Sequence, residues 1–99
     1  MDTAAATQVQ GAWRIDAERL WSRLMALARI GATPGGGVDR QALSAEEIAS
    51  WHAMIDWALS AGLEPSTDAV GNLFIALPGA DRDAPPVLAG SHLDSQPGG

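Results

Sequence analysis

The residues of this 99-residue chain best suited to chemistry lie in the segment Gly90-Ser91-His92-Leu93-Asp94-Ser95. His92 and Asp94 are two residues apart, so in an extended chain both side chains project to the same side. An imidazole and a carboxylate held together suit a metal site. There the imidazole binds the ion through one nitrogen, and the carboxylate fixes its tautomer or positions the reacting water. The spacing alone leaves a structural alternative open, in which His92 is a core histidine bonded to a backbone carbonyl and Asp94 caps the next turn.

The second histidine, His52, has Asp56 four residues further along the chain. Two such side chains share one face of a helix and can ligate a metal, but this spacing is more typical of a solvated pair. We therefore interpret the pair as structural. The tryptophans at positions 13, 21, 51 and 57 fit helical packing or an amphipathic surface better than a cofactor site.

The composition excludes several classes of protein. Twelve acidic residues against six basic ones give a net charge of −6, which argues against nucleic acid as a partner because phosphate binding needs a basic patch. No run of about 18 apolar residues predicts a membrane span, and the first residues lack the basic and apolar regions of a secretory signal. The absence of cysteine excludes disulfides and thiolate chemistry and fits a cytoplasmic location.

Two helices are expected ahead of the candidate motif. The first begins at Asp16, a favourable N-cap, and its apolar residues recur at three- and four-residue steps until Gly31 ends it. The second begins with a capping box in which Ser44 is the N-cap and Glu47 reaches back from the third helical position, and it ends at Gly62. We expect the two helices to form a hairpin or to lie side by side on a sheet.

Strands are expected after the second helix. The sequence predicts two strands, at residues 63–68 and 73–77, around a turn at Val70-Gly71-Asn72. Val87-Leu88-Ala89-Gly90 is apolar without alternation, which is typical of a strand covered on both faces. This order predicts α/β layers, with the candidate motif at the carboxyl end of the last strand, where sites form in open α/β sheets.

The glycine-rich segment 31–37 separates the two helices. We expect an ordered connector without chemistry, since short Gly/Pro loops are most often of that kind. A flexible linker is one alternative. A phosphate-binding loop is another, although no Gly-Lys-Ser/Thr ending follows and no strand precedes the segment.

Four segments of the chain, taken in order, resemble one family. They are Arg19–Thr33, Gly36–Arg40 with Leu43-Ser44, Asp68-Ala69-Val70-Gly71-Asn72-Leu73, and Gly90–Gly99. These resemble the opening helix, the following loop, the Asp-x-x-Gly-Asn turn and the first metal motif of the hydantoinase/carbamoylase branch of the M20 metallohydrolases. That branch includes N-carbamoyl-L-amino-acid hydrolases, allantoate amidohydrolases and β-ureidopropionases.

The resemblance implies a fold and a domain organisation. Residues 15–99 would form the N-terminal portion of a zinc-peptidase-like α/β/α catalytic domain, which is incomplete here. Residues 1–14 are small and polar without apolar periodicity, so on composition we expect a disordered or frayed tail there. The family inserts a smaller dimerisation domain into the catalytic domain, so a homodimer is implied for the full-length parent.

The resemblance also implies site residues and cofactors. His92 matches a ligand of one metal, and Asp94 matches the acidic catalytic partner that assists that site. The family uses two divalent metal ions per subunit, for which we expect zinc or manganese, with cobalt or nickel as alternatives. Its substrates are small molecules of the N-carbamoyl or ureido amino-acid type, whose C–N amide bonds are hydrolysed. The residues that bind the substrate are expected outside this chain.

The chain departs from the family pattern at its last residues. Gly98 stands where a Thr or Asn commonly precedes two glycines, and the aspartate that bridges the two metals in the family is expected beyond Gly99. Because a catalytic zinc takes about three protein ligands, we expect the 99-residue chain to be inactive by itself. The alternatives are an M20 peptidase or aminoacylase, and a non-catalytic small interaction domain.

Overall fold

The computed structural model describes residues 13–97, which contain two helices followed by a two-stranded antiparallel sheet. The elements are α1 (Ala17–Arg29), α2 (Ala45–Ser60), β1 (Glu64–Thr67) and β2 (Leu73–Ala76). Their type and order are those expected from the sequence up to residue 77. Most of the predicted frayed tail, together with Gly98 and Gly99, lies outside the described residues. No helix in the described range is long and apolar enough to cross a membrane.

Helix α1 begins and ends where the sequence indicates. The carboxylate of Asp16 accepts a hydrogen bond from the Arg19 N–H at 3.0 Å, as an N-cap does. Gly31, one residue beyond the C-cap, has a φ of +83°. A Cβ added to it would lie 2.6 Å from the Asp39 carbonyl oxygen. Glycine is therefore required at position 31 both for its left-handed backbone and for the close approach of the next segment.

Helix α2 has a modified form of the predicted capping box. The Ser44 hydroxyl accepts a hydrogen bond from the Glu47 N–H at 3.2 Å, as expected. The Glu47 carboxylate, however, accepts from the N–H of Leu43 rather than from that of Ser44. The Ser44 N–H is already used, because it donates to the Gln41 carbonyl at 3.0 Å. Leu43 has a φ of +66°, a conformation that costs a non-glycine residue about 1–2 kcal/mol, and the Glu47 bond helps to hold it.

The glycine-rich segment 31–37 is an ordered connector. Ala32 and Val38 form an antiparallel bridge across it. The Thr33 N–H donates to the Gly37 carbonyl at 2.9 Å, and the Gly37 N–H donates to the Thr33 hydroxyl at 3.1 Å. These bonds close the loop on itself and confirm the ordered interpretation over a flexible linker.

The two strands form a hairpin around the turn at residues 68–72. In its register, Pro65 pairs with Ile75 and Thr67 with Leu73. Leu73 and Ile75 are the more buried residues of β2, as period-two alternation requires. Helix α2 packs against both strands. Each strand is slightly shorter than predicted, which is ordinary fraying at strand ends.

The prediction of a buried strand at Val87–Gly90 is wrong for this structure. The segment does not form a strand, and both Val87 and Leu88 are exposed. A strand buried on both faces needs hydrogen-bonded neighbours and a covering layer on each side. Residues 13–97 provide neither for this segment, so the layered α/β arrangement is present only in part.

The described residues enclose very little core. Ala58, at 3% exposed, is the one hydrophobic residue in this range that is buried. Helices α1 and α2 meet where the Arg23 guanidinium lies 5.4 Å from the centre of the Trp57 ring. Beside this contact an apolar groove of about 390 Å³ separates the helices, with Leu24 on one wall and Met54 on the other. The helices therefore do not form the tightly packed hairpin that was one of the two expectations.

Candidate functional site

The structure brings His92 and Asp94 together. The His92 Nδ1 lies 2.8 Å from the Asp94 carbonyl oxygen and 3.1 Å from its carboxylate Oδ1. The main-chain carbonyl oxygen can only accept a hydrogen bond, so the 2.8 Å contact assigns the proton to Nδ1. In the neutral imidazole this leaves the lone pair on Nε2 free for a ligand.

The exposure of the pair bears on the structural alternative that the spacing left open. The His92 side chain is 78% exposed and that of Asp94 is 43% exposed. Within residues 13–97 His92 is therefore not buried in a core, although its ring does contact a backbone carbonyl. The Asp94 carboxylate faces the imidazole, which is the orientation expected of a group that fixes a ring and its tautomer.

Arg40 lies behind this pair and is only 9% exposed. Its Nε donates to the Leu93 carbonyl at 2.8 Å, and its Nη1 donates to the carbonyls of Leu27 at 2.6 Å and Ile30 at 2.8 Å. The last carbonyls of a helix lack partners within the helix and carry partial negative charge. Arg40 therefore satisfies the end of α1 and at the same time holds the residue between His92 and Asp94.

Ser95 joins the motif to Val38 and Arg40 through three hydrogen bonds. Its N–H donates to the Arg40 carbonyl at 2.7 Å, and its hydroxyl accepts from the Arg40 N–H at 2.9 Å. The Ser95 hydroxyl also donates to the Val38 carbonyl at 2.8 Å. Arg40 and Ser95 are 55 residues apart, so no local pattern in the sequence indicates this pairing. Both residues lie in segments that resemble the family, but neither residue type nor spacing indicates a role for them.

His52 and Asp56 are both exposed on α2, in keeping with the structural interpretation of that pair. Within residues 13–97 no group of three or more His, Cys, Asp or Glu side chains could hold a metal ion. His92 therefore offers one metal-binding nitrogen and Asp94 offers one carboxylate, and no third such side chain among the described residues joins them.

A cavity of about 470 Å³ lies beside the motif. Its lining includes the segment 89–94, Trp51 and Met54 of α2, and Leu73 at the start of β2. Asn72, in the turn that precedes β2, also lines it. The Asp68 carboxylate accepts three hydrogen bonds in this turn, two of them from Asn72. These bonds, the side-chain amide of Asn72 first among them, hold the pKa of Asp68 below its ordinary value of 3.8.

Comparison with known proteins shows what the chain is similar to. No family model matches the chain. It is 43% identical over 86 residues to an N-carbamoyl-L-amino-acid amidohydrolase of Rhizobium meliloti, an alignment that covers 87% of this chain and 21% of the relative. It is 36% identical over 69 residues to an allantoate amidohydrolase of Escherichia coli (strain K12), covering 70% of this chain and 17% of the relative.

A solved structure agrees with these relatives. A hydantoinase/carbamoylase family amidase from Burkholderia ambifaria superposes with a TM-score of 0.81 at 53% sequence identity, over 84% of this chain and 20% of that one. The chain thus spans about one fifth of the length of the proteins it matches. Over that fifth, the chain is homologous to the N-carbamoyl-L-amino-acid and allantoate amidohydrolases of the hydantoinase/carbamoylase family.

Proposed function

We propose that this chain supplies one metal ligand, His92, and the carboxylate that assists it, Asp94, to a metal-dependent amidohydrolase. The substrates would be small molecules of the N-carbamoyl or ureido amino-acid type, cleaved at a C–N amide bond. The observation that carries the proposal is the contact of the His92 Nδ1 with the carbonyl oxygen and the Oδ1 of Asp94, at 2.8 and 3.1 Å, on an exposed ring. With the proton on Nδ1, the Nε2 is free to bind a ligand.

The donor set fits this role in part. An imidazole nitrogen with an orienting carboxylate is the usual arrangement at zinc, and the same donors suit manganese, cobalt and nickel. A catalytic zinc takes about three protein ligands, and residues 13–97 offer no cluster of three. When bound, a divalent metal supplies Lewis acidity to the scissile carbonyl. The contribution of this chain is to present the Nε2 of His92 in a fixed tautomer.

The relatives support the substrate class because two of them are amidohydrolases of N-carbamoyl-L-amino acids and of allantoate. A peptidase or aminoacylase of the wider M20 group gains no comparable support. The small interaction domain is disfavoured because the described residues bury a single hydrophobic side chain. The homodimer, the two-metal content and the cytoplasmic location stay predictions.

The test uses the complete gene product, by which we mean the protein translated from the whole reading frame that encodes residues 1–99. It should hydrolyse N-carbamoyl amino acids or allantoate in preference to dipeptides. Substitution His92→Ala should reduce the bound metal and abolish turnover, whereas His52→Ala, at the exposed helical histidine, should change neither. Preferred turnover of dipeptides would contradict the substrate class. Full metal content in the His92→Ala protein would contradict the ligand role.

A further inference from the structure

We propose that Arg40 is a positioning residue for the His92–Asp94 pair, and that it sets the tautomer of His92 through the backbone on both sides of Asp94. The inference rests on the proposed function, because positioning His92 serves the metal-binding role proposed for that residue. The geometry from which it follows is independent of any metal.

Arg40 holds both peptide groups that flank the Cα of Asp94. Its side-chain Nε bonds the Leu93 carbonyl, which belongs to the peptide group before Asp94. Its main-chain carbonyl accepts the N–H of Ser95, which belongs to the peptide group after Asp94. Because each peptide group is planar, fixing one atom of each group restricts the two backbone dihedrals of Asp94.

The second of these peptide groups reaches His92 directly. One side of it carries the Ser95 N–H, bonded to Arg40 at 2.7 Å, and the other carries the Asp94 carbonyl, 2.8 Å from the His92 Nδ1. A single rigid plane thus connects Arg40 with the hydrogen bond that places the proton on Nδ1. Hydrogen bonds in such a chain polarise one another, so the Arg40 bond strengthens the carbonyl as an acceptor.

The side chain of Arg40 is suited to this task in a way that lysine is not. It donates from Nε to Leu93 and from Nη1 to the carbonyls of Leu27 and Ile30, so it spans two segments of the chain at once. A planar guanidinium has donors that point in several fixed directions, whereas an ammonium group is a single point of charge. Arg40→Lys would keep the charge at the end of α1 but lose the bond to Leu93.

The test compares Arg40→Lys and Arg40→Gln with Arg82→Gln in the complete gene product. Arg82 is a suitable control because it is also an arginine with a side-chain partner, Glu64, but is 69% exposed. Nitrogen-15 spectra of the metal-free proteins report the tautomer of His92, with its signal assigned by its loss in His92→Ala. His52 serves as an internal reference. Metal affinity is measured separately, by competition with a chelator.

Both Arg40 variants should lower the fraction of His92 that carries its proton on Nδ1. They should also weaken metal binding. Loss of a group bonded directly to a metal-binding histidine costs about 10- to 100-fold, and Arg40 acts through Asp94, so we expect a loss of about 10-fold, the lower end of that range. Arg82→Gln should change neither quantity. Folded Arg40 variants with the native tautomer and native metal affinity would overturn the proposal.

Ser95 keeps the proposal testable if the Arg40 variants fail to fold. Ser95→Ala removes the hydroxyl that bonds the Arg40 N–H and Val38 carbonyl, while Ser95→Thr retains it. We expect a shifted tautomer in the alanine variant and restoration in the threonine variant, and no difference between the two would also overturn the proposal. The tautomer needs no metal, so a protein whose His92 proved not to bind metal would refute the proposed function and leave this measurement intact.

Discussion

Heating the isolated 99-residue chain is expected to produce a broad, weakly cooperative transition. The chain exposes 7920 Å² of surface, whereas a compact monomer of 10.2 kDa would expose about 5,300 Å². The Cα radius of gyration agrees, at 16.7 Å compared with about 13 Å for a compact domain of about 100 residues. The excess exposed surface is therefore about 2,600 Å².

The magnitude of this missing burial decides the outcome. If about half of the excess surface is apolar, burying it would contribute about 30 kcal/mol at about 25 cal/mol per Å². A typical domain has a net stability of only about 5–15 kcal/mol, the small difference between large opposing terms. Large side chains that a core would normally cover, such as Trp21, Leu59 and Leu88, are more than half exposed. The isolated chain therefore lacks the contribution that makes unfolding cooperative.

The assay is differential scanning calorimetry combined with near-ultraviolet circular dichroism of the tryptophans. We expect no sharp heat-absorption peak and only a gradual change in the tryptophan signal. One sharp peak with an enthalpy of about 60–80 kcal/mol, the value for a two-state domain of this length, would refute the reasoning if circular dichroism gave the same midpoint. Such a peak would also support the interpretation of the chain as a small interaction domain that folds by itself.

Two further predictions concern turns in the complete gene product. Gly31→Ala should destabilise the protein by at least about 1–2 kcal/mol, the cost of a left-handed backbone for a residue with a Cβ. This figure is a minimum because the new Cβ would also lie only 2.6 Å from the Asp39 carbonyl oxygen. Urea midpoints measure this, and Gly79→Ala, where a Cβ meets nothing within 4 Å, is the control that should change little. The second prediction is that Asn72→Ala raises the pKa of Asp68 part of the way back to 3.8. The return is partial because the main-chain N–H groups still donate to the carboxylate. An NMR titration that showed an unchanged pKa would contradict this prediction. Because folding lowers the pKa of Asp68, its ionised carboxylate stabilises the folded protein at pH values above the ordinary pKa. This stabilisation is lost as the pH falls through the pKa of the folded state.

Local features of the chain could be predicted because the atoms that produce them are close in sequence. The caps of both helices depend on contacts three residues apart, from Asp16 to Arg19 and from Ser44 to Glu47. The positive φ at Gly31 follows from a residue type that tolerates it. The proximity of His92 and Asp94 follows from a spacing of two residues in extended chain. In each case a short-range steric or hydrogen-bonding rule is sufficient.

Longer-range features needed the tertiary structure. The Glu47 carboxylate bonds the N–H of Leu43, and not that of Ser44, because the Ser44 N–H already donates to the Gln41 carbonyl. Val87–Gly90 is exposed because no neighbouring layer covers it. Burial and pairing are properties of what surrounds a segment, and hydrophobicity alone does not specify them.

The sequence by itself determined two capped helices, a hairpin and a histidine with a carboxylate two residues away, since each of these depends on neighbours along the chain. Only the tertiary structure decided that the Arg40 side chain contacts both the end of α1 and the Leu93 carbonyl between His92 and Asp94. The partners of the Arg40 side chain lie 10, 13 and 53 residues away. Folding must close those loops before one guanidinium can join the end of α1 to the candidate site.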